Sequence, residues 1–298
     1  MRRRDFMKTA LAAGTAGAMA SCRTVPVRPD GSPEPVPIDA FLARGARVMW
    51  CAAHPDDECF SGGILARASI FYRNPLHLVV LTRGEGGECG LAGGCHPDLA
   101  TVRAREMQRA AEIYHASLEH ESFFNAPLPV SSFPPRQEIY RRWREHADPV
   151  RLVARSIRSF RPDLLITFHP DWGATGHPEH QLASRCATTA VRLAADAASD
   201  VDGLPAHRVE RTYYMLNRVW LFVLLGRADP GPVTESFDAT LPASREKSCV
   251  DFMIHATHAH RTQHRDMGRV RSNRWLFTEL DLRQVDPFSE FHDPAEPA

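Results

Sequence analysis

The sequence predicts an α/β protein with a doubly wound and mostly parallel sheet. Three observations lead there. Short apolar runs of strand length recur along the chain, and each is followed by a segment whose apolar residues fall at helical spacing. Such alternation packs as parallel strands joined by right-handed crossovers. Clusters of histidine and carboxylate stand directly behind the apolar runs, where a sheet of this kind opens its functional crevice.

The elements follow in order. "ARVMWCAA" (46–53) is a buried strand, and "HPDDE" comes straight after it. Ser61 is placed to cap a helix carrying Ile64, Leu65, Ala68 and Phe71 on one face. "LHLVVLT" is a second strand, ended by "RGEGGE". "LATVRAREMQRAAEIYHA" is strongly helical, with Val102, Met107, Ala110, Ala111 and Tyr114 available for its inner face. "DLLITFH" is another strand, and "PDWGATGHPEH" leads from it into the helical "QLASRCATTAVRLAADAA". The later runs "RTYYMLN" and "VWLFVLL" are expected as edge strands, and Leu241 to His264 as helix.

The 36 basic and 36 acidic residues cancel, which leaves no electrostatic footprint for nucleic acid. The N-terminus reads as a targeting segment. "MRRRDFMKTALAAGTAGAMASC" carries arginines, Phe6 and Lys8 before a short Ala/Gly-rich stretch, like a twin-arginine export signal. It ends in a lipobox-like "MASC" with Cys22 as the residue to be lipidated; Met19 stands where leucine is usual, so plain cleavage is the alternative. The expected organisation is a signal peptide (1–22), a Pro-rich tether (23–39), one folded domain (40–286) and an irregular tail (287–298). The expected location is the periplasm or cell envelope, with a membrane anchor through Cys22. Cys89 and Cys95 flank a glycine-rich loop; they suit a disulfide in an oxidising compartment and equally two free thiols, since spacing alone does not fix geometry.

The chemistry lies in two stretches. His54 offers an imidazole nitrogen, and Asp57 a carboxylate three residues on; a turn at Pro55 can aim both at one metal ion. His180 of "GHPEH" supplies a third ligand and leaves a fourth position open for water. Asp56 is then spare and can act as general base. His177, three residues before His180, can stabilise a developing oxyanion, in its protonated form, and then protonate the leaving amine. Alone, "HPDDE" reads equally as a capping turn and "HPEH" as a polar helix start. Together, each behind its own strand, they point to one site.

These stretches, with "TRGEGGE" and "RAREMQRAAEIY", resemble the PIG-L/LmbE-like deacetylase family, known for zinc-dependent N-deacetylation on a Rossmann-like fold. The resemblance implies that His54, Asp57 and His180 bind one zinc ion, that Asp56 is the base and that His177 stabilises the transition state. It also implies that Arg103, four residues into the helix and followed by Glu106, holds sugar hydroxyls; a salt bridge is the alternative. Glu179 stands where many members have aspartate, and Asn125 near a place that often carries one. His169 and Asp171 are either partners of the metal ligands or loop residues. His255, His258, His260 and His264 are expected to pack a helix or line a pocket.

The expected function is an exported zinc hydrolase that removes the acetyl group of an N-acetyl amino sugar or related small-molecule or glycan substrate. The His₂Asp set also accepts other divalent metals. A lipid-anchored protein binding a sugar or acyl ligand without turnover is the alternative; Asp56 argues against it, because binding alone needs no spare base.

Overall fold

The structure is a computed structural model and describes residues 36–217, 224–226 and 231–296. The expected signal peptide and most of the tether lie outside the described residues. Seven strands form one sheet: β1 (Val48–Ala52), β2 (Leu76–Thr82), β3 (Ser117–Phe123), β4 (Leu164–Phe168), β5 (Arg211–Leu216), β6 (Glu235–Asp238) and β7 (Glu279–Val285). Their order is β3-β2-β1-β4-β5-β7-β6. The first five pair in parallel, while β7 pairs antiparallel with both β5 and β6.

The central strands read as unbroken apolar runs because both faces are covered. Val48, Trp50 and Ala52 of β1 point into one core, with Met107, Tyr114 and Met253. Met49, Cys51 and the following Ala53 point into the other, with Trp143, Val153 and Leu182. The helices that close these faces are α1 (Ile38–Leu42), α2 (Gly62–Ala66), α3 (Leu99–Ile113), α4 (Arg136–His146), α5 (Pro149–Phe160), α6 (Pro178–Ala195), α7 (Cys249–Ala256) and α8 (His264–Ser272). Two of them start on strong signals. Asp148 accepts the N–H groups of Val150 and Arg151 ahead of Pro149, and Ser248 accepts that of Asp251.

Four details depart from expectation. "RTYYMLN" supplies β5, which is interior, and "VWLFVLL" lies almost wholly outside the described residues. The expected helix from Leu241 begins only at Cys249, since Pro242 bridges back to Ser248 and Ser248 is the cap. Ser61 does stand at the start of α2, but its buried hydroxyl has no partner; a 3₁₀ turn, Asp57–Phe60, leads into the helix instead. Val102 is only half-buried on α3, whereas Arg103 and Glu106 are buried.

β1 and β4 are neighbours at the centre of the sheet. The chain from β1 goes on to β2 on one side, and the chain from β4 to β5 on the other. The connections therefore part beyond their carboxyl ends and open a crevice, the topological switch point of a doubly wound sheet.

Candidate active site

The two loops that leave this switch point carry His54–Glu58 and Trp172–His180. Pro178 opens α6 at a position whose N–H needs no partner, and His177 is its N-cap, with Nδ1 accepting the N–H of Glu179 at 3.3 Å. His180 follows within the first turn. Its Nδ1–H donates to the Gly173 carbonyl at 2.8 Å. That carbonyl is reachable only because residue 173 is glycine: its φ is +52°, and a Cβ there would meet His180 Cβ and Gln181 N at 2.9 Å.

With Nδ1 so committed, the Nε2 lone pair of His180 faces His54 Nδ1 at 3.0 Å and Asp57 Oδ1 at 3.0 Å. Asp57 Oδ2 lies 3.5 Å from His54 Nδ1. The opposite nitrogen of His54, Nε2, donates to Glu179 Oε2 at 2.5 Å. Two imidazole lone pairs and a carboxylate thus converge, an arrangement that repels itself unless a cation lies between. Metal–ligand bonds of about 2.0–2.1 Å in a tetrahedron set donors roughly 3.3 Å apart. The spacing and the N/O donor set therefore fit one divalent ion. A ring nitrogen of His177 also lies within 4.8 Å of those of His54 and His180.

Glu179 is fully buried and satisfied on every side. Besides His54 it accepts from Asn125 Nδ2 and from the Ala126 N–H, each at 2.6 Å. It fixes the tautomer and orientation of His54, as a carboxylate behind a ligating histidine does. Burial works against an imidazolium at His54, but the Asp57 and Glu179 carboxylates outweigh it and push its pKa up to about 10. Burial would raise Asp57, yet His180 and His54 hold it far below the usual carboxylate range.

Asp56 sits at φ +92°, a strained left-handed backbone for a residue with a side chain. Its N–H donates to Glu58 Oε2 at 3.1 Å, and Arg103 Nη2 donates to its Oδ2 at 3.1 Å. Burial raises the Asp56 carboxyl to about 6, with the Arg103 guanidinium opposing and Asp57 adding to the rise. Arg103 is buried and gives its remaining bonds to backbone, Gly84 O at 3.0 Å and Pro55 O at 2.6 Å. In this arrangement the guanidinium is turned to Asp56 and to the loops after β1 and β2. Glu106 accepts the N–H and the hydroxyl of Thr262 at 2.8 and 2.6 Å, tying α3 to the segment before α8.

His177 is half-buried, its ring stacked on His180 at 4.7 Å and edge-on to Phe133 at 5.0 Å. Burial and the neighbouring His180 and His54 imidazoles hold its pKa well below 6.5. With Nδ1 an acceptor, Nε2–H is its free donor. His169 Nδ1 lies 3.2 Å from Asp171 N and its Nε2 3.2 Å from Arg283 Nη1, and Asp171 pairs with Arg185, so both brace the loop after β4. Cys89 and Cys95 are joined by a disulfide.

Glu58 was given no role from the sequence, and His260 only helix packing or pocket lining; their pairing across 202 residues is what the sequence does not show, although the fifth residue of "HPDDE" was available for a role.

Residues 49–191 match the family described as PIG-L: GlcNAc-PI de-N-acetylase. Among curated relatives, a 1D-myo-inositol 2-acetamido-2-deoxy-alpha-D-glucopyranoside deacetylase of Catenulispora acidiphila is 34% identical over 178 residues, 54% of this chain and 57% of that protein. A mycothiol S-conjugate amidase of Streptomyces coelicolor is 30% identical over 156 residues, 50% of this chain and 53% of that protein. The chain spans little more than half the length of these relatives. Two solved structures share the fold. An N,N'-diacetylchitobiose deacetylase from Pyrococcus horikoshii has a TM-score of 0.57 at 15% identity, covering 84% of this chain and 88% of its own. A 4-carboxy-2-hydroxymuconate hydratase from Pseudomonas putida has a TM-score of 0.56 at 17% identity, covering 81% and 96%. One fold thus carries two reaction types, and the activity has to be argued from the site.

Proposed function

We propose, from the premise that this chain belongs through residues 49–191 to the PIG-L family, that it is a metal-dependent hydrolase of the amide in an N-acetyl amino sugar. The observation that carries the reading is the convergence of His54 Nδ1, His180 Nε2 and Asp57 on one point beside a carboxylate, Asp56, that takes no part in it. His54, Asp57 and His180 hold the ion, which we take to be zinc; when bound, it supplies Lewis acidity, acidifying water and polarising a carbonyl oxygen.

The chain's own groups do the rest. Asp56, held by Arg103, accepts a proton from the attacking water, whose oxygen bonds to the acetyl carbon. His177 donates Nε2–H to the oxygen that becomes negative. The C–N bond then breaks, the proton passes from Asp56 to the departing nitrogen, and acetate and an amine result. Arg103 acts in this scheme first through Asp56, and a contact to sugar hydroxyls is a further role for it.

The reading includes export and a lipid anchor at Cys22, supported by the signal-like N-terminus and by the Cys89–Cys95 bond, which suits an oxidising compartment. Elemental analysis of wild type and His180→Ala, with acetate release from N-acetylglucosamine compounds measured on the same samples, tests the function. About one equivalent of zinc in wild type, lost together with activity in the variant, supports it. A wild type that binds no metal after reconstitution overturns it.

A further inference from the structure

Apart from the metal cluster, a cavity of about 280 Å³ opens between the disulfide-closed loop and the segment leading into α8. Its walls present Arg261, Arg271, His258 and His264, one side of His260, and the backbone at Gly90. No carboxylate is among these lining residues. The acids of the neighbourhood are engaged elsewhere: Glu58 with His260 and the Asp56 N–H, Glu106 with Thr262, Asp266 with Arg269, and Glu88 with Arg265 at 4.0 Å. The guanidinium of Arg261 has no hydrogen bond or ion pair among the described residues. Arg271 reaches only Thr257 Oγ1 at 3.4 Å and the His264 carbonyl at 3.5 Å, both long. Two guanidinium groups facing one concavity without a counter-charge raise its potential and draw in an anion.

The concavity is also braced. Gly90 N–H donates to Thr262 O at 2.9 Å and Gln263 Nε2 to Glu88 O at 3.1 Å, while the Cys89–Cys95 bond closes the loop between. A Cβ at position 90 would come within 2.5 Å of Thr262 O and 2.6 Å of His264 Nδ1, so only glycine allows this approach.

We propose that this cavity binds a phosphate-like oxyanion, through Arg261 and Arg271. Two sources offer that chemistry: an anionic group on the substrate, or the free ion. His260 favours the first, because it lines the cavity and bonds to Glu58, which in turn holds Asp56. Only the substrate arm rests on the deacetylase reading; the cavity's binding chemistry does not.

The test uses the full-length, zinc-loaded protein and the double variant Arg261→Gln/Arg271→Gln, with Arg261→Lys/Arg271→Lys as the charge-preserving control. Inorganic phosphate and glucosamine 6-phosphate are titrated by calorimetry, with neutral glucosamine for reference. We expect Kd for phosphate to rise at least tenfold in the glutamine variant and to recover in the lysine variant. If the substrate carries the anion, glucosamine 6-phosphate binds at least tenfold tighter than either phosphate or glucosamine, and the glutamine variant loses that gain. If the free ion is the ligand, phosphate alone shows the arginine dependence. Phosphate and glucosamine 6-phosphate binding that are both absent in wild type, or both unchanged within twofold in the glutamine variant, overturns the proposal. Acetate release from N-acetylglucosamine, followed alongside, reports on the deacetylase reading separately. Its absence sinks that reading and leaves the phosphate result to stand or fall by itself.

Discussion

His260 Nε2 lies 2.6 Å from Glu58 Oε1, while the second oxygen of Glu58 accepts the backbone N–H of Asp56 at 3.1 Å. Both side chains are almost fully buried. The pair holds the left-handed turn that aims Asp56, and it joins the C-terminal segment to the loop after β1. Removing either side chain should lower kcat by about 10- to 100-fold through misplacement of the base, with KM changed far less. Kinetics and metal content of Glu58→Ala and His260→Ala check this, with Glu58→Gln as the conservative rescue. Equal losses of kcat and bound metal would show that the pair merely maintains the fold.

Asp56→Asn keeps the shape of the side chain and removes its proton acceptor. General-base catalysis contributes on the order of 10²- to 10⁴-fold, so kcat should fall by that much while zinc stays bound. A variant with wild-type turnover and full metal would remove Asp56 from the scheme.

Asn125 Nδ2 donates to Glu179 Oε2 at 2.6 Å, and the same oxygen takes His54 Nε2–H. An aspartate at 125 would set two buried carboxylates against each other. Asn125→Asp should destabilise the protein by about 1–3 kcal/mol, the cost of an unmet buried polar group. Urea denaturation of the variant and of wild type measures it, and an unchanged stability speaks against charge repulsion.

Away from the site, Glu119 on β3 takes Arg155 Nη2 at 2.7 Å and lies near His77 and Ser156. Burial alone would raise its carboxyl, but these bonds outweigh it and bring the pKa from 4.5 down to about 2. A folded-state pKa below the unfolded value gives stability that is present above pH 4.5 and fades as pH falls towards 2. Glu119→Gln should therefore be less stable than wild type at neutral pH, and the two should converge as pH drops through that window. Thermal melts of both proteins from pH 7 to pH 2.5 follow the convergence.

Legibility in the sequence tracked how each element is buried. β1, β2 and β4 announce themselves because both their faces meet helices, and α3 and α6 because their apolar residues repeat at helical spacing. β3, "SLEHESF", is an outer strand whose polar residues are mostly half-exposed, so it looks like loop. α4, "RQEIYRRWREH", buries only Arg136, Ile139 and Trp143 and reads as polar. Within the site, His54, Asp56, Asp57, His177 and His180 were legible as residue types at telling positions. Which donors Glu179 satisfies and where Arg103 points were not, because both depend on partners brought in by other strands.

The adjacency of β1 and β4 has a consequence for how the protein matures. His54 and His180 are 126 residues apart in the chain, and the strands that bring them together pair only across that gap. A nascent chain that has made β1, α2 and β2 holds two of the three proposed ligands, His54 and Asp57, and has little hold on an ion. On the proposed metal reading, tight capture waits until the central strands have paired, and it then favours the finished state by mass action, roughly 2.7 kcal/mol at a hundredfold excess over Kd. Metal occupancy would in that sense be a checkpoint, one that a truncated or mispaired chain fails even when most of its helices have formed.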